Sequence, residues 1–153
     1  MKEIDLIAPV VKSFSDRGYR AYAEVKLSSR WIDVYLINEN TFETIAIELK
    51  LTNWKKAYQQ AKVYPLVADY VYIGMPEKYV HRALDNIDLF KKLGVGILSV
   101  SQEVIEVLEP QQSTILSQNV KREVIGKLES GSELVLDEQN NLTKTIYPCG
   151  RIQ

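Results

Sequence analysis

The stretch RWIDVYLINENTFETIAIELKL, residues 30–51, decides how this chain is read. Two apolar runs rich in β-branched and aromatic residues, RWIDVYLI and FETIAIELKL, flank the turn-like NENT, which is the pattern of a β-hairpin. Along a strand, side chains alternate between faces. Ile45, Ile47, Leu49 and Leu51 therefore fill one face of the second run. Glu48 and Lys50 share the other face with Thr44 and Ala46. In the first run Asp33 is set on the face opposite Ile32, Val34 and Leu36. The preceding run YRAYAEVKL, residues 19–27, joined through SSR, is a third strand. Its Glu24 lies against Ala23 and Val25 and shares a face with Tyr22 and Lys26. The short separators predict an antiparallel meander. With ordinary registers, Glu24, Asp33, Glu48 and Lys50 converge on one side of the sheet.

The remaining elements follow from periodicity. Residues 3–17 read as an amphipathic helix with Ile4, Ile7, Val10, Val11 and Phe14 on one side, kinked or started late by Pro9 and closed by Gly18. A helix capped by Thr52 or Asn53 carries Trp54, Ala57, Tyr58, Ala61 and Tyr64 in one arc and stops at Pro65. Strand 68–75, one long helix over 77–94 and the apolar strand 95–100 complete a strand–helix–strand–helix–strand order, which calls for right-handed crossovers. The expected class is α/β, a mixed β-sheet flanked by helices. Residues 1–102 form the core of that reading. Residues 103–153 form a C-terminal extension, with an edge strand at 103–110, a helix over 115–130 and a hairpin over 133–147 turning at Asn140-Asn141.

The chain has 153 residues, 46% hydrophobic and 25% charged, with a formal net charge of −1. That balance suits one globular domain and names no polyanionic partner through global charge, although local basic patches remain open. The single cysteine, Cys149, excludes an internal disulfide framework and fits a reducing cytoplasm. With one histidine, His81, a Cys-His zinc site is not expected. No apolar run approaches the roughly 20 residues of a membrane span. A cytoplasmic protein without a membrane partner is the expectation.

Carboxylates gathered in a small space raise one another's pKa values, and a divalent cation removes the conflict. All-oxygen ligands suit Mg²⁺ or Mn²⁺. Lys50 beside them is placed to orient a water, help deprotonate it or stabilise charge on a phosphoryl oxygen. These are the parts of metal-assisted phosphodiester hydrolysis. The competing reading of a Glu-x-Lys alternation is a solvated strand face with cross-strand ion pairs. Asp33 on the preceding strand and the helix that follows favour the first.

Asp33 followed by Glu48-Leu49-Lys50 at the end of an apolar strand resembles the PD-(D/E)xK nuclease superfamily, of restriction-endonuclease-like fold. Gln60-Ala61-Lys62-Val63-Tyr64 in the next helix resembles the Q-x-x-x-Y element of its RecB-type branch. The likeness spans residues 1–100. Ile32 stands where the motif usually has proline. The resemblance implies a Mg²⁺- or Mn²⁺-dependent deoxyribonuclease with Asp33 and Glu48 as metal ligands, the Leu49 carbonyl as a further ligand and Lys50 as the catalytic lysine. Gln60 is expected to contact Lys50 or a phosphate. Tyr64 either packs in the core or contacts nucleic acid. Glu24 is a ligand, a residue behind the ligands, or an edge-strand surface acid. Glu3 is the candidate for the acid that some members add from their first helix.

Arg30, Lys26, Lys55, Lys56 and Lys62 are candidate phosphate contacts on DNA, supplying affinity independent of sequence. A single site of this size cuts both strands of a duplex most simply as a homodimer, with the region after Glu103 as the expected interface. The rival functions are a nucleic-acid-binding protein that keeps the fold without cutting, and a protein-interaction module.

Overall fold

A computed structural model describes residues 1–143. A 3₁₀ turn, Glu3–Leu6, leads into helix α1, Ile7–Ser15. Pro9 is accommodated in the first turn of α1, where no intrahelical N–H is missed. Strands β1 (Tyr19–Leu27), β2 (Arg30–Asn38) and β3 (Thr44–Leu49) form the antiparallel meander. Helix α2, Trp54–Ala61, starts from Asn53, whose side chain accepts from the Lys56 N–H. Strand β4 (Tyr70–Pro76) runs parallel to β3, and β5 (Gly96–Val100) runs parallel to β4.

Between β4 and β5 the expected single helix is two short ones, α3 (His81–Leu84) and α4 (Ile87–Leu93). Asn86 breaks it: its backbone leaves the helical region and its side chain donates back to the Arg82 carbonyl. Asn competes for backbone groups in this way, which makes it a helix breaker as readily as a helix former. The break lets Val80, Ala83 and Phe90 all reach the same core. Gly94, at φ +77°, closes α4.

The chain beyond residue 102 adds β6 (Val104–Leu108), α5 (Gln118–Gly126) and β7 (Glu133–Leu134). The single mixed sheet has the order β6-β5-β4-β3-β2-β1-β7, so β6 and β7 occupy its opposite edges. After β7 the chain turns at Asn140 (φ +63°), and a bridge joins Leu136 to Leu142. The far end of the expected hairpin, residues 144–147, and Cys149 lie outside the described residues. No helix among the described residues is long and apolar enough to cross a membrane.

Two apolar layers clamp the sheet. Val10, Val11 and Phe14 of α1 pack on Ala21, Ala23, Val34, Leu36, Ile45, Ile47 and Leu49. On the other face Ala57, Ala61, Tyr64, Phe90 and Val124 cover Tyr35, Ala46 and Ile73. The meander departs from simple alternation at one point. Glu24 has φ +51°, and pairing skips from Ala23–Val34 to Val25–Ile32. Past that kink Val25 and Ile32 belong to the α2/α5 core, whereas Ala23 and Val34 belong to the α1 core. The expected shared face of Ile32, Val34 and Leu36 is therefore corrected: a backbone reversal at Glu24 re-aims the end of the hairpin.

Candidate metal and phosphate site

Asp33 and Glu48 sit where β2 and β3 part. The last paired rung is Val34–Ile47, and Asp33 and Glu48 are the next residue on each strand. Directly opposed residues of an antiparallel pair share a face. The Asp33 carboxylate replaces a ladder carbonyl, accepting the Leu49 N–H at 2.8 Å. On the other side of β3 the ladder continues to β4, with Lys50 N–H donating to the Gly74 carbonyl at 3.1 Å. Gly74 itself makes room: a Cβ there would stand 2.8 Å from Leu49 Cδ2. Sequence patterning gives Gly74 no part in the site.

Glu48 is fully buried, Asp33 is 5% exposed and Lys50 6%. The Tyr64 hydroxyl reaches Glu48 Oε1 at 2.7 Å and lies 3.3 Å from the Trp31 carbonyl. Glu48 Oε2 is buried and accepts no hydrogen bond, with the Lys50 ammonium 3.6 Å away. Glu3 Oε1 stands 3.7 Å from the same ammonium. Those separations are ion pairs, longer than hydrogen bonds. Burial, and next the Asp33 charge, push the Glu48 carboxyl up to about 8, against the opposing pull of Tyr64 and Lys50.

The predicted residues thus divide. Asp33, Glu48, Leu49 and Lys50 come together, and Glu3 joins them through Lys50. The expected helix running to Pro65 ends at Ala61, and Tyr64 opens a separate 3₁₀ turn, Tyr64–Leu66; Gln60, near the end of α2, has a buried Oε1 that accepts no hydrogen bond. It makes no contact with Lys50 that a hydrogen bond records. Tyr64 is corrected as a nucleic-acid contact: it is wholly buried and its hydroxyl supports Glu48. Among the described residues no three His, Cys, Asp or Glu side chains gather closely enough to hold a metal. Glu24 therefore does not complete a three-acid set with Asp33 and Glu48. Its kinked backbone places it in the wall of a separate cavity. Lys26, Arg30, Lys55 and Lys56 are exposed. The first two flank the β1–β2 turn and the others open α2, so all four lie toward the end of the sheet where β3 finishes.

Comparison with known proteins adds the fold and little else. No family profile matches the chain, and no curated protein matches it. A solved protein of unknown function from Silicibacter pomeroyi is similar over 84% of each chain, with a TM-score of 0.67 and 15% identity. At that identity the likeness shows the architecture alone: a mixed seven-stranded α/β sheet with flanking helices. The Ca²⁺ complex of SfsA from Pyrococcus furiosus shares 12% identity over 71% of this chain and 60% of its own, with a TM-score of 0.39. A likeness of that size carries no argument about chemistry.

The site's own chemistry does carry one. Glu48 Oε2, buried without a hydrogen bond, beside a second carboxylate is costly in a protein interior. A hard divalent cation satisfies such oxygen donors. The two carboxylates, oxygen donors with no soft ligand, suit Mg²⁺ or Mn²⁺ better than a thiophilic metal.

Proposed function

We propose that the chain is a divalent-metal-dependent nuclease that hydrolyses DNA phosphodiester bonds. The observation that carries the reading is the buried Asp33–Glu48 pair with the Lys50 ammonium 3.6 Å from Glu48. Asp33, Glu48 and the Leu49 carbonyl would hold Mg²⁺ or Mn²⁺. When bound, such an ion supplies Lewis-acid polarisation of a phosphoryl oxygen and a water of lowered pKa. Lys50 contributes a cation where charge accumulates on the phosphoryl oxygens. Glu3 and Glu48 both pair with that ammonium and hold it in place. The Tyr64 hydroxyl fixes the Glu48 carboxylate, and Asp33 is fixed by the Leu49 N–H. The positions are therefore set before substrate arrives, which is what electrostatic catalysis requires. Arg30, Lys26, Lys55 and Lys56 supply the contacts to the DNA backbone.

The test uses supercoiled, linear and single-stranded DNA with Mg²⁺ or Mn²⁺, beside Asp33→Ala and Lys50→Ala. Metal-dependent cutting that both substitutions abolish supports the reading. Binding without cutting assigns a non-catalytic nucleic-acid-binding role instead, and neither activity points to a protein-interaction module. Calorimetry gives an independent readout, because divalent-ion uptake is expected to weaken in Glu48→Gln.

A further inference from the structure

On the Glu24 side of the hairpin lies a cavity of about 370 Å³ walled by Glu24, Lys26, Trp31, Lys127, Glu129 and Ser132, among others. Its volume falls within the range of small-ligand sites, about 300–1,000 Å³. The ordinary reading is a packing defect between β1 and α5. Three observations favour a binding site.

The first is the backbone of Glu24. A non-glycine residue at φ +51° inside a strand is strained, and such strain persists where the surroundings over-determine it, most often at ligand sites. The second is connection. Glu24 and Asp33 occupy the rung skipped between Ala23–Val34 and Val25–Ile32. The Trp31 carbonyl lies within reach of the Tyr64 hydroxyl, which also holds Glu48. The cavity wall and the acid pair are thus joined by a single side chain. The third is the chemistry of the lining. Trp31 offers a half-buried indole, with the Lys26 ammonium 5.8 Å from its ring centre. Lys127 adds a second cation, and Glu24 and Glu129 bring carboxylate acceptors.

An aromatic side chain walled in with two lysines and two carboxylates offers the chemistry that an unstacked nucleotide needs. Bases stack on aromatic side chains, carboxylates accept from exocyclic amino groups, and lysines meet phosphates. We propose that this cavity receives one unpaired nucleotide of the substrate strand, its base on Trp31, its amino group at Glu24 and its phosphate between Lys26 and Lys127. The proposal rests on the nuclease reading and sharpens it: the substrate is single-stranded or end-frayed DNA rather than a fully paired duplex. It also gives Glu24 a part that does not depend on metal.

The experiment reads Trp31 directly. The chain has two tryptophans, and Trp54 packs on Phe90 away from this cavity, so Trp54→Phe leaves Trp31 as the sole reporter. A single-stranded oligonucleotide and its blunt duplex are titrated in EDTA, where no cutting occurs. Quenching of Trp31 that saturates with binding, tighter for the single strand, is the expected result. By anisotropy of a labelled oligonucleotide, Trp31→Ala is expected to weaken single-strand binding about 5- to 150-fold, with Trp31→Phe restoring much of it. Glu24→Gln is expected to change the ranking among oligo-dC, oligo-dA and oligo-dT.

Binding that leaves Trp31 fluorescence unchanged overturns the proposal, as does single-strand affinity unaltered in a folded Trp31→Ala protein. Absence of any oligonucleotide binding overturns it too. The two readings fail separately. Cutting that depends on Asp33 and Lys50, with strand preference intact in Trp31→Ala, removes the nucleotide pocket and keeps the nuclease. Trp31 quenching without cutting under any divalent ion keeps the pocket and removes the catalysis.

Discussion

Replacing Glu48 with glutamine is expected to stabilise the metal-free protein, and the size of the gain can be worked from the site. The carboxyl is lifted from an ordinary 4.5 to about 8, because it is buried and faces Asp33. A raised carboxyl binds its proton more tightly in the folded chain than in the unfolded one. The stability it contributes is complete below about pH 4.5 and is lost as pH rises through about 8. At pH 7 the linkage amounts to about 3 kcal/mol against folding, relative to a side chain that never ionises. The amide of the Glu48→Gln variant would keep an oxygen for the Tyr64 hydroxyl and offer an N–H toward Asp33. That linkage already includes the opposing pull of Lys50, so the gain corresponds to about 6–12 °C in melting temperature for a chain of this size. Urea unfolding of both proteins from pH 4.5 to 8 measures it, with equal m-values as the control. The gap must close toward pH 4.5. A Glu48→Gln protein no more stable than the parent at pH 7, or a gap indifferent to pH, would refute the account of a desolvated, acid-paired carboxylate. Mg²⁺ is expected to raise the melting temperature of the parent and to do so less in the variant.

Three further outcomes follow from the geometry. Asp33→Ala orphans the buried Leu49 N–H and is expected to cost about 1–3 kcal/mol by urea unfolding, whereas Asp33→Asn retains an acceptor and costs less. Lys121→Met breaks the 2.8 Å pair with Asp69, which also accepts from the Thr44 N–H and hydroxyl; about 1–3 kcal/mol is expected at pH 7. Burial pushes Asp69 up, but Lys121 and Thr44 outweigh it and hold the carboxyl below its ordinary 3.8. The stabilisation is therefore present above that value and lost as pH falls further, so the Lys121→Met deficit must shrink in acid. Gly96→Ala would set a Cβ 2.8 Å from the Leu108 carbonyl and from Tyr72, and is expected to cost about 1–3 kcal/mol with faster amide exchange along β5 and β6.

Much of this architecture is legible in local pattern. The meander, the Asn53 cap, the strand–helix alternation and the edge strand near residues 104–108 each follow from period, turn residues or capping chemistry. Adjacent residue types within a few positions decide those features. The division of the helix expected over 77–94 is hidden because apolar spacing continues unbroken through Asn86, and periodicity does not register one side chain bonding back to Arg82. Tyr64 is ambiguous in sequence for a related reason. Its arc places it in the core, and only the packed 3₁₀ turn after α2 shows its hydroxyl on Glu48.

By itself, the order of residues determined that Asp33, Glu48 and Lys50 belong to neighbouring strands, because alternation and short turns leave few other pairings. Register, burial and the third dimension were decided by the folded sheet. The positive φ at Glu24 reverses alternation and moves that acid into a cavity with Trp31, a displacement that period-2 reasoning assumes away. Glu3 meets Lys50, far along the sequence, only because the 3₁₀ turn before α1 is carried to the end of β3. Local sequence encodes which way a side chain leaves its strand; what it meets there depends on contacts between residues far apart in the chain, which form only when the layers pack.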